Sequence, residues 1–238
     1  MLELKNITYK VIENGKEKVI LDNISCVFED NCVTAITGQN GGGKSTVTKI
    51  IMGILKQTSG EIYFNGKEIS GLTIDERANI GLGYAFQQPV LFKGLTVKDL
   101  IDIASKENNS VSKACEYLSK VGLCAKEYVN RVFDKSLSGG EQKRIEIALA
   151  LAKNSDLTIF DEPEAGIDLW GFDKLNSLFD KKKSYIIVSH QEKILLKADK
   201  IIVINNGKIV ESGASKDIVK KLNKDVCKRI LGGKNENR

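Results

Sequence analysis

A glycine-rich segment carries the clearest chemical signal in the sequence. Residues 38–45 read Gly-Gln-Asn-Gly-Gly-Gly-Lys-Ser, which matches the spacing G-x-x-x-x-G-K-S/T of phosphate-binding loops. Glycines let successive backbone N–H groups turn towards one anion, and the positive end of a following helix stabilises the same charge. The segment therefore predicts a phosphate site, in which Lys44 reaches the β- and γ-phosphates and the Ser45 hydroxyl ligates Mg²⁺.

Two adjacent carboxylates form the second signal. Asp161 and Glu162 directly follow the apolar run Leu-Thr-Ile-Phe at residues 157–160, which predicts a buried strand. Two acids after a strand can also be no more than a solvated strand end. Together with a phosphate loop they predict a nucleotide hydrolase, in which Asp161 holds the Mg²⁺ shell and Glu162 orients the attacking water or accepts its proton.

The third signal is a helix start with two glycines. Residues 137–142 read Leu-Ser-Gly-Gly-Glu-Gln. Ser138 is a favourable N-cap, and Gly139 and Gly140 leave the first-turn N–H groups open to an anion. A plain helix cap is the alternative, but it would not require two glycines. We therefore predict a second phosphate-binding element.

The elements that must position these residues alternate between strands and helices, which predicts an α/β domain with a largely parallel sheet. The phosphate loop lies between a strand at residues 33–37 and a helix at 44–55. The other predicted elements are strands at 157–160 and 185–188, a hairpin at 201–210, an antiparallel N-terminal stretch at 2–25 that turns at Asn14-Gly15, and an inserted helical region at about 96–153.

Composition excludes several classes of protein. With 42% apolar residues, 28% charged residues and two prolines among 238 residues, the chain has the composition of an ordinary globular protein. No apolar run approaches the ~18 residues of a membrane span, and no basic segment leads into an apolar core at the N-terminus. We therefore expect a cytoplasmic protein without direct membrane insertion. The lysines have no interleaved aromatics, so the net charge of +5 does not indicate a nucleic-acid partner.

The cysteines do not form a metal-binding pattern. There are five, no two of them are spaced C-x-x-C, and the chain has one histidine. Zinc and iron–sulfur ligation by this chain alone is therefore not indicated. We expect buried thiols.

Taken together, the motifs resemble those of the ATP-binding cassette (ABC) ATPases, over essentially the whole chain and in family order. Gln87 is similar to the Q-loop glutamine, with Gln88 as its rival, and His190 directly follows a strand at the position of the switch histidine. The remaining correspondences are Walker A at residues 38–45, the signature at 137–142, Walker B at 160–163 and the D-loop at 165–168.

The resemblance implies an ABC ATPase fold of the P-loop NTPase class, in which a RecA-like parallel-sheet core carries an N-terminal antiparallel β-subdomain and an inserted α-helical subdomain. The chain then forms one domain, with residues 1–86 and 155–238 in the core and 87–154 in the helical subdomain. The implied catalytic residues are Glu162, His190, Gln87 and Lys44, and the implied Mg²⁺ ligands are Ser45, Gln87 and Asp161. The implied ATP-binding residues are Gly38, Gln39, Asn40, Gly41, Gly42, Gly43, Lys44, Ser45, Thr46, Ser138, Gly139, Gly140, Glu141 and Asp168.

The resemblance also implies a working pair of cassettes. ABC cassettes act head to tail, so that ATP on the Walker A loop of one chain is covered by the signature of the other. The family usually stacks an aromatic residue on adenine. Val11 aligns with that position here, and Tyr9 shares its strand face, although a core or edge position suits Tyr9 better.

Three segments are similar to the ATPases of SUF iron–sulfur cluster assembly (the SufC type). They are residues 165–168 (Ala-Gly-Ile-Asp), 141–147 (Glu-Gln-Lys-Arg-Ile-Glu-Ile) and 76–78 (Glu-Arg-Ala) with the Q-loop that follows. This similarity implies a scaffold partner of the SufB/SufD kind. Pro163 is instead the form found in transporters, and the stretch after Gln87 is short. The alternative is therefore a transporter cassette that binds a transmembrane permease subunit; in either case the partner is expected to dock at about residues 87–130.

Overall fold

The computed structural model describes residues 1–106, 111–166, 178–179 and 183–222. Within these ranges the chain alternates between strands and helices as the sequence predicts. The strands are β1 (Leu2–Glu13), β2 (Lys16–Phe28), β3 (Val33–Thr37), β4 (Ser59–Phe64), β5 (Lys67–Glu68), β6 (Leu82–Ala85), β7 (Leu157–Asp161), β8 (Ser184–Val188), β9 (Lys200–Asn205) and β10 (Lys208–Ala214). The helices are α1 (Lys44–Met52), α2 (Ile74–Asn79), α3 (Val97–Ser105), α4 (Val111–Lys120), α5 (Ala125–Tyr128), α6 (Gly139–Ala152) and α7 (Glu192–Lys197), and residues 215–222 are also helical.

The strands form two sheets. One is antiparallel, in the order β2-β1-β4-β5, and contains the predicted N-terminal hairpin. The other has the order β10-β9-β3-β8-β7-β6; its strands run parallel except β10, which returns from β9 as the predicted hairpin. The predicted α/β fold with a parallel core and an antiparallel N-terminal subdomain is confirmed.

The central strands are apolar because both faces of the large sheet are covered. Every residue of β3, β7 and β8 is buried, as expected for parallel strands between two layers. Successive residues of β7 belong to different hydrophobic cores. Ile159 packs with the antiparallel sheet and α1, whereas Phe160 packs with the helices of the inserted region. Tyr9 is partly buried against the first of these cores.

Two sequence expectations need correction. The helix predicted at residues 44–55 ends at Met52, because Gly53 adopts the left-handed conformation (φ 79°) and its N–H caps the last turn. The prediction of buried thiols is wrong for Cys124, which is exposed, while Cys26, Cys32 and Cys115 are half-buried. Cys227 lies outside the described residues. In the part of the chain that is described, no helix combines the length and apolarity needed to cross a bilayer.

Candidate functional site

The glycine loop joins β3 to α1 at the carboxyl edge of the parallel sheet. Gly38 has φ 135°, and a Cβ there would lie 1.9 Å from the carbonyl oxygen of Ile204, so only glycine fits. Gly43 caps α1 with φ 106°. The helix N-terminus therefore opens directly into the loop, where its unpaired N–H groups face an incoming anion.

The loop is fastened to the β9–β10 hairpin. The N–H of Gly207 donates to the carbonyl oxygen of Gly42 at 2.9 Å, and the N–H of Gln39 donates to Oδ1 of Asn205 at 2.8 Å. These bonds tie the phosphate loop to a turn more than 160 residues later in the sequence.

Lys44 folds back over this loop. Its ammonium donates to the carbonyl oxygens of Gly38 (3.0 Å) and Gln39 (2.8 Å), and the residue is buried. Burial lowers the pKa of Lys44, and the carboxylates of Glu162 and Asp161 partly oppose that effect. The ammonium is thus held at the loop while its charge faces two acids.

A hydroxyl and a carboxylate meet at the end of β7. Ser45 Oγ donates to Asp161 Oδ1 at 3.1 Å, and Tyr84 Oη donates to Oδ2 of the same carboxyl at 3.0 Å. Burial raises the pKa of Asp161, while these hydrogen bonds lower it. A buried carboxylate beside a partly exposed hydroxyl suits a hard divalent cation such as Mg²⁺, so the residues present fit the predicted metal.

The next residue, Glu162, is held by an unusual backbone conformation. Its φ of 47° lies in the left-handed region, and its N–H donates to the Val188 carbonyl oxygen at 3.0 Å. Its side chain accepts a hydrogen bond from Gln87 Nε2 at 2.8 Å. The two predicted catalytic groups, Gln87 and Glu162, are therefore in direct contact.

His190 follows β8 at the same edge of the sheet. Partial burial and the neighbouring Lys44 ammonium lower the pKa of His190, and Glu162 opposes that shift. The residue before it, Ser189, is fully buried and donates to the Glu164 carboxylate. The strand end that precedes His190 is therefore held by a hydrogen bond to Glu164, which follows the Walker B segment.

One open cavity of about 460 Å³ is lined by half of the predicted site residues. They come from four separate segments, which the parallel strands bring to one edge. Its lining includes Asn40, Gly41, Gly43, Lys44, Ser45, Thr46, Gln87, Glu162 and His190. The arrangement joins an anion-binding loop, a cationic amine, a metal-ligand pair and a candidate base, as phosphoryl transfer requires.

The signature segment starts α6 elsewhere. Ser138 Oγ accepts from the Glu141 N–H at 3.3 Å, and the Glu141 carboxylate accepts from the Ser138 N–H at 2.6 Å, which forms a capping box. Hydrogen bonds from Tyr128 and Ser138 lower the pKa of Glu141 to about 2. Of the signature residues, all of which are described, none lines the cavity. Asp168 lies outside the described residues.

Sequence reasoning missed four residues that surround the site: Tyr84, Glu164, Lys143 and Glu146. The first two contact Asp161 and Ser189, as described above. Lys143 and Glu146 lie inside the protein on α6 and contact the Q-loop backbone. Of the four, only Lys143 and Glu146 could have been inferred from the sequence, because opposite charges three residues apart on a helix can interact.

The fold and the site define an ABC-type ATPase cassette. The family model described as "ABC transporter" matches residues 21–165, and the chain belongs to that family. It is an ATPase that binds ATP.

Relatives of known name agree with this assignment. An uncharacterized ABC transporter ATP-binding protein of Methanocaldococcus jannaschii is 37% identical over 84% of each chain. An energy-coupling factor transporter ATP-binding protein of Ureaplasma parvum is 34% identical over 91% of this chain and 75% of its own length. A probable ATP-dependent transporter of Antithamnion sp. is 30% identical over 94% of this chain and 95% of its own. None of these names refers to iron–sulfur assembly.

Solved structures show the same fold. A dimeric ATP-binding cassette in a post-hydrolysis state with ADP and Pi superposes with a TM-score of 0.81 at 27% identity, covering 90% of this chain and 99% of its own. A cassette of another ABC transporter gives a TM-score of 0.80 at 28% identity, covering 98% and 97%.

Proposed function

We propose that this chain is the ATP-hydrolysing subunit of a membrane ABC transporter, and that it works as a head-to-tail pair of cassettes around two Mg²⁺-ATP. The observation that carries this proposal is the cavity in which Lys44, Ser45, Gln87, Glu162 and His190 converge. The transporter assignment is supported by the names of the relatives at 30–37% identity.

The predicted catalytic and metal-binding residues each have a role in hydrolysis. Lys44 and the loop N–H groups bind the β- and γ-phosphates, and Ser45 and Asp161 would hold the Mg²⁺, with Gln87 beside them. The bound ion supplies positive charge for the phosphoryl oxygens. Glu162 orients the attacking water or accepts its proton, and His190 donates to the γ-phosphate.

In this proposal the signature residues act on a second chain. Ser138 and Gly139 lie outside the cavity of their own chain, yet a Cβ at Gly139 would meet no atom within 4 Å. Packing within the chain therefore does not require this glycine, whereas a phosphate approaching the helix N-terminus would. The superposed cassette bound to ADP and Pi is dimeric, which supports the same arrangement.

Mixing two inactive variants tests the pair. Lys44→Ala removes the phosphate ligand, and Gly139→Asp places a negative charge at the signature. A head-to-tail pair formed by one chain of each kind has one intact site, because the Gly139→Asp chain supplies the loop and the Lys44→Ala chain the signature. We expect hydrolysis to reappear on mixing, at up to about a quarter of the wild-type rate. Absence of rescue, with heterodimers demonstrated by cross-linking, would overturn the head-to-tail pair.

A groove beside the Q-loop, here called the Q-loop groove, fits a membrane subunit. It has a volume of about 390 Å³ and lies between the sheet core and α3. Its apolar rim is exposed by 36–64%, and consists of Ile74, Phe86, Val90, Phe92 and Ile103. Because Phe86 directly precedes Gln87, a helix docked here would contact the residue next to the nucleotide cavity. We assign the groove to a short amphipathic helix of a permease subunit, which places the cassette at the cytoplasmic face of the membrane.

Membrane retention tests this docking. The full chain is expressed in its source organism, and the amount of cassette that stays with washed membranes is measured. Phe92→Asp or Ile103→Asp should reduce the retained cassette at least ~10-fold, because each puts a charge on the apolar rim. Val210→Asp changes a residue that is 56% exposed outside the groove and serves as the control. Equal retention of all variants would overturn the groove assignment.

A scaffold of the SufB/SufD kind is the second candidate partner, supported by the three similar segments of the sequence. The segment at residues 76–78 can also be explained by contacts within the chain. Glu76 closes a capping box with Thr73, and the buried Arg77 guanidinium donates to the carbonyl oxygens of Ile50 (2.7 Å) and Ile51 (2.8 Å). Co-purification with such a scaffold from the soluble fraction, with hydrolysis stimulated by it, would favour this candidate over a permease.

A further inference from the structure

A buried ion pair lies beneath the catalytic residues. Lys143 and Glu146 occupy neighbouring turns of α6, with Nζ and Oε2 3.2 Å apart and side chains only 1% and 11% exposed. Neither residue belongs to a motif that reaches the nucleotide cavity. Both lie one to two turns after the glycines of the signature.

Lys143 and Glu146 form hydrogen bonds to the backbone on both sides of the contact between Gln87 and Glu162. Lys143 Nζ donates to the carbonyl oxygens of Phe86, Gln87 (3.3 Å) and Asp161 (3.4 Å). Glu146 Oε1 accepts from the Phe86 N–H at 2.8 Å. The pair therefore fixes the chain at Gln87 and immediately before Glu162.

Stability alone does not account for such a pair. Two charges withdrawn from water lose hydration that their attraction often fails to recover, and apolar residues of similar size are frequently as stabilising. Burial raises the pKa of Glu146, and the Lys143 charge opposes that rise. The feature that an apolar pair would lack is the set of directed bonds to the two backbone segments.

We propose that Lys143 and Glu146 are positioning residues for ATP hydrolysis, which hold the Gln87 amide and the Glu162 carboxylate at their 2.8 Å separation beside the nucleotide. They also join these groups to α6. The signature helix, the Q-loop and the end of β7 are therefore placed by one buried pair.

Steady-state hydrolysis by the purified full chain tests the proposal. Lys143→Met and Glu146→Gln should each lower kcat about 10- to 100-fold, because small displacements of catalytic groups have effects of this size. KM for ATP should change less than about threefold, since the phosphate-binding groups are untouched.

The double variant Lys143→Met/Glu146→Gln separates positioning from folding. Neither charge is left buried without its partner, so thermal stability should recover towards that of the wild type. The carbonyl oxygens of Phe86, Gln87 and Asp161 still lack their donor, so kcat should remain low. Recovery of kcat together with stability would overturn the proposal.

Lys153→Met is the matched control. Lys153 caps the C-terminal end of α6 and donates to a strand carbonyl, that of Leu82, at 2.7 Å, but at the other end of the helix from Lys143. Its kcat should stay within about twofold of the wild type. A loss as large as that of Lys143→Met would mean that any loosening of α6 slows hydrolysis, and the proposal would fail.

Hydrogen exchange gives a readout that requires no turnover. In the nucleotide-free double variant, the Phe86 N–H should exchange at least about fivefold faster, because the Q-loop backbone opens more often. Amides in β3 and β8 should be unaffected. Unchanged protection at Phe86 would contradict the predicted role of the pair.

Discussion

At the scale of single residues, Glu162 has a strained backbone conformation and a side chain that lines the cavity. A non-glycine residue in the left-handed region carries a conformational cost of about 1–3 kcal/mol, which the bond from its N–H to the Val188 carbonyl helps to offset. The consequence is a carboxylate directed into the cavity and in contact with Gln87.

We expect Glu162→Gln to lower kcat by at least ~10², because an amide cannot accept the proton of water. ATP should remain bound, so the paired state should accumulate and elute as a dimer in size-exclusion chromatography. Glu127→Gln, an exposed change on α5, controls for loss of charge. Near-normal phosphate release by Glu162→Gln would contradict the assignment of the base.

The single histidine gives a direct test of the electrostatics. Partial burial and the neighbouring Lys44 ammonium lower the pKa of His190 from its ordinary value in the nucleotide-free chain, which favours the neutral imidazole. As the pH falls through the ordinary histidine range near about 6.5, the unfolded chain takes up this proton before the folded chain does, so the folded state loses stability. Because the chain has one histidine, NMR titration of the imidazole is unambiguous; a value at or above 6.5 would be inconsistent with the site.

The sequence allowed the residues that line the cavity to be predicted, but not those behind them. Glycine, lysine and paired carboxylates at fixed spacing have few other uses, so Lys44, Ser45, Glu162 and His190 were accessible without coordinates. Tyr84 meets Asp161 only because β6 pairs with β7 in a particular register. No spacing along the chain encodes that contact.

At the scale of elements, two capping boxes offer a matched comparison. Ser138 with Glu141 starts α6, and Thr96 with Asp99 starts α3 in the same way. We expect Ser138→Ala and Thr96→Ala each to lower the free energy of unfolding by ~1 kcal/mol, as measured by urea denaturation. Only Ser138→Ala should also lower kcat, by about tenfold or more, because its hydroxyl lies at the proposed nucleotide contact. Equal activity of the two variants would remove Ser138 from the site.

Elements were predictable where their pattern was long or chemically marked. The β-branched runs of β3, β8 and β9 identify buried strands, and Asn14-Gly15 and Asn206-Gly207 mark the two hairpin turns. The elements β4, β5, β6 and α2 have two to six residues and lack a comparable β-branched run. Their structure depends on the strands and helices against which they pair or pack.

At the scale of the whole molecule, the inserted helices share a core with the sheet. Leu118 of α4 and Ile145 of α6 belong to the same buried cluster as Phe160 and Ile187 of the parallel strands. The helical subdomain therefore has no separate core among the described residues, and we expect it to fold together with the rest.

Leu118→Ala tests this expectation. The side chain is fully buried, so its truncation should lower the free energy of unfolding by ~2–5 kcal/mol. A single cooperative transition should persist, and ATP binding and helical signal should be lost together on heating. Two separate transitions would show that residues 87–154 are an independent unit.

The anchoring of the phosphate loop limits how far the chain can be shortened from its C-terminal end. Gly42 and Gln39 are bonded to residues 205 and 207, and Gly38 is packed against Ile204. A fragment that stops after the switch histidine would still contain every catalytic motif, yet its nucleotide-binding loop would have lost the hairpin that gives it shape. We therefore expect ATP binding to be completed only when the β9–β10 hairpin, in the last fifth of the chain, is present, long after the motif itself has been synthesised.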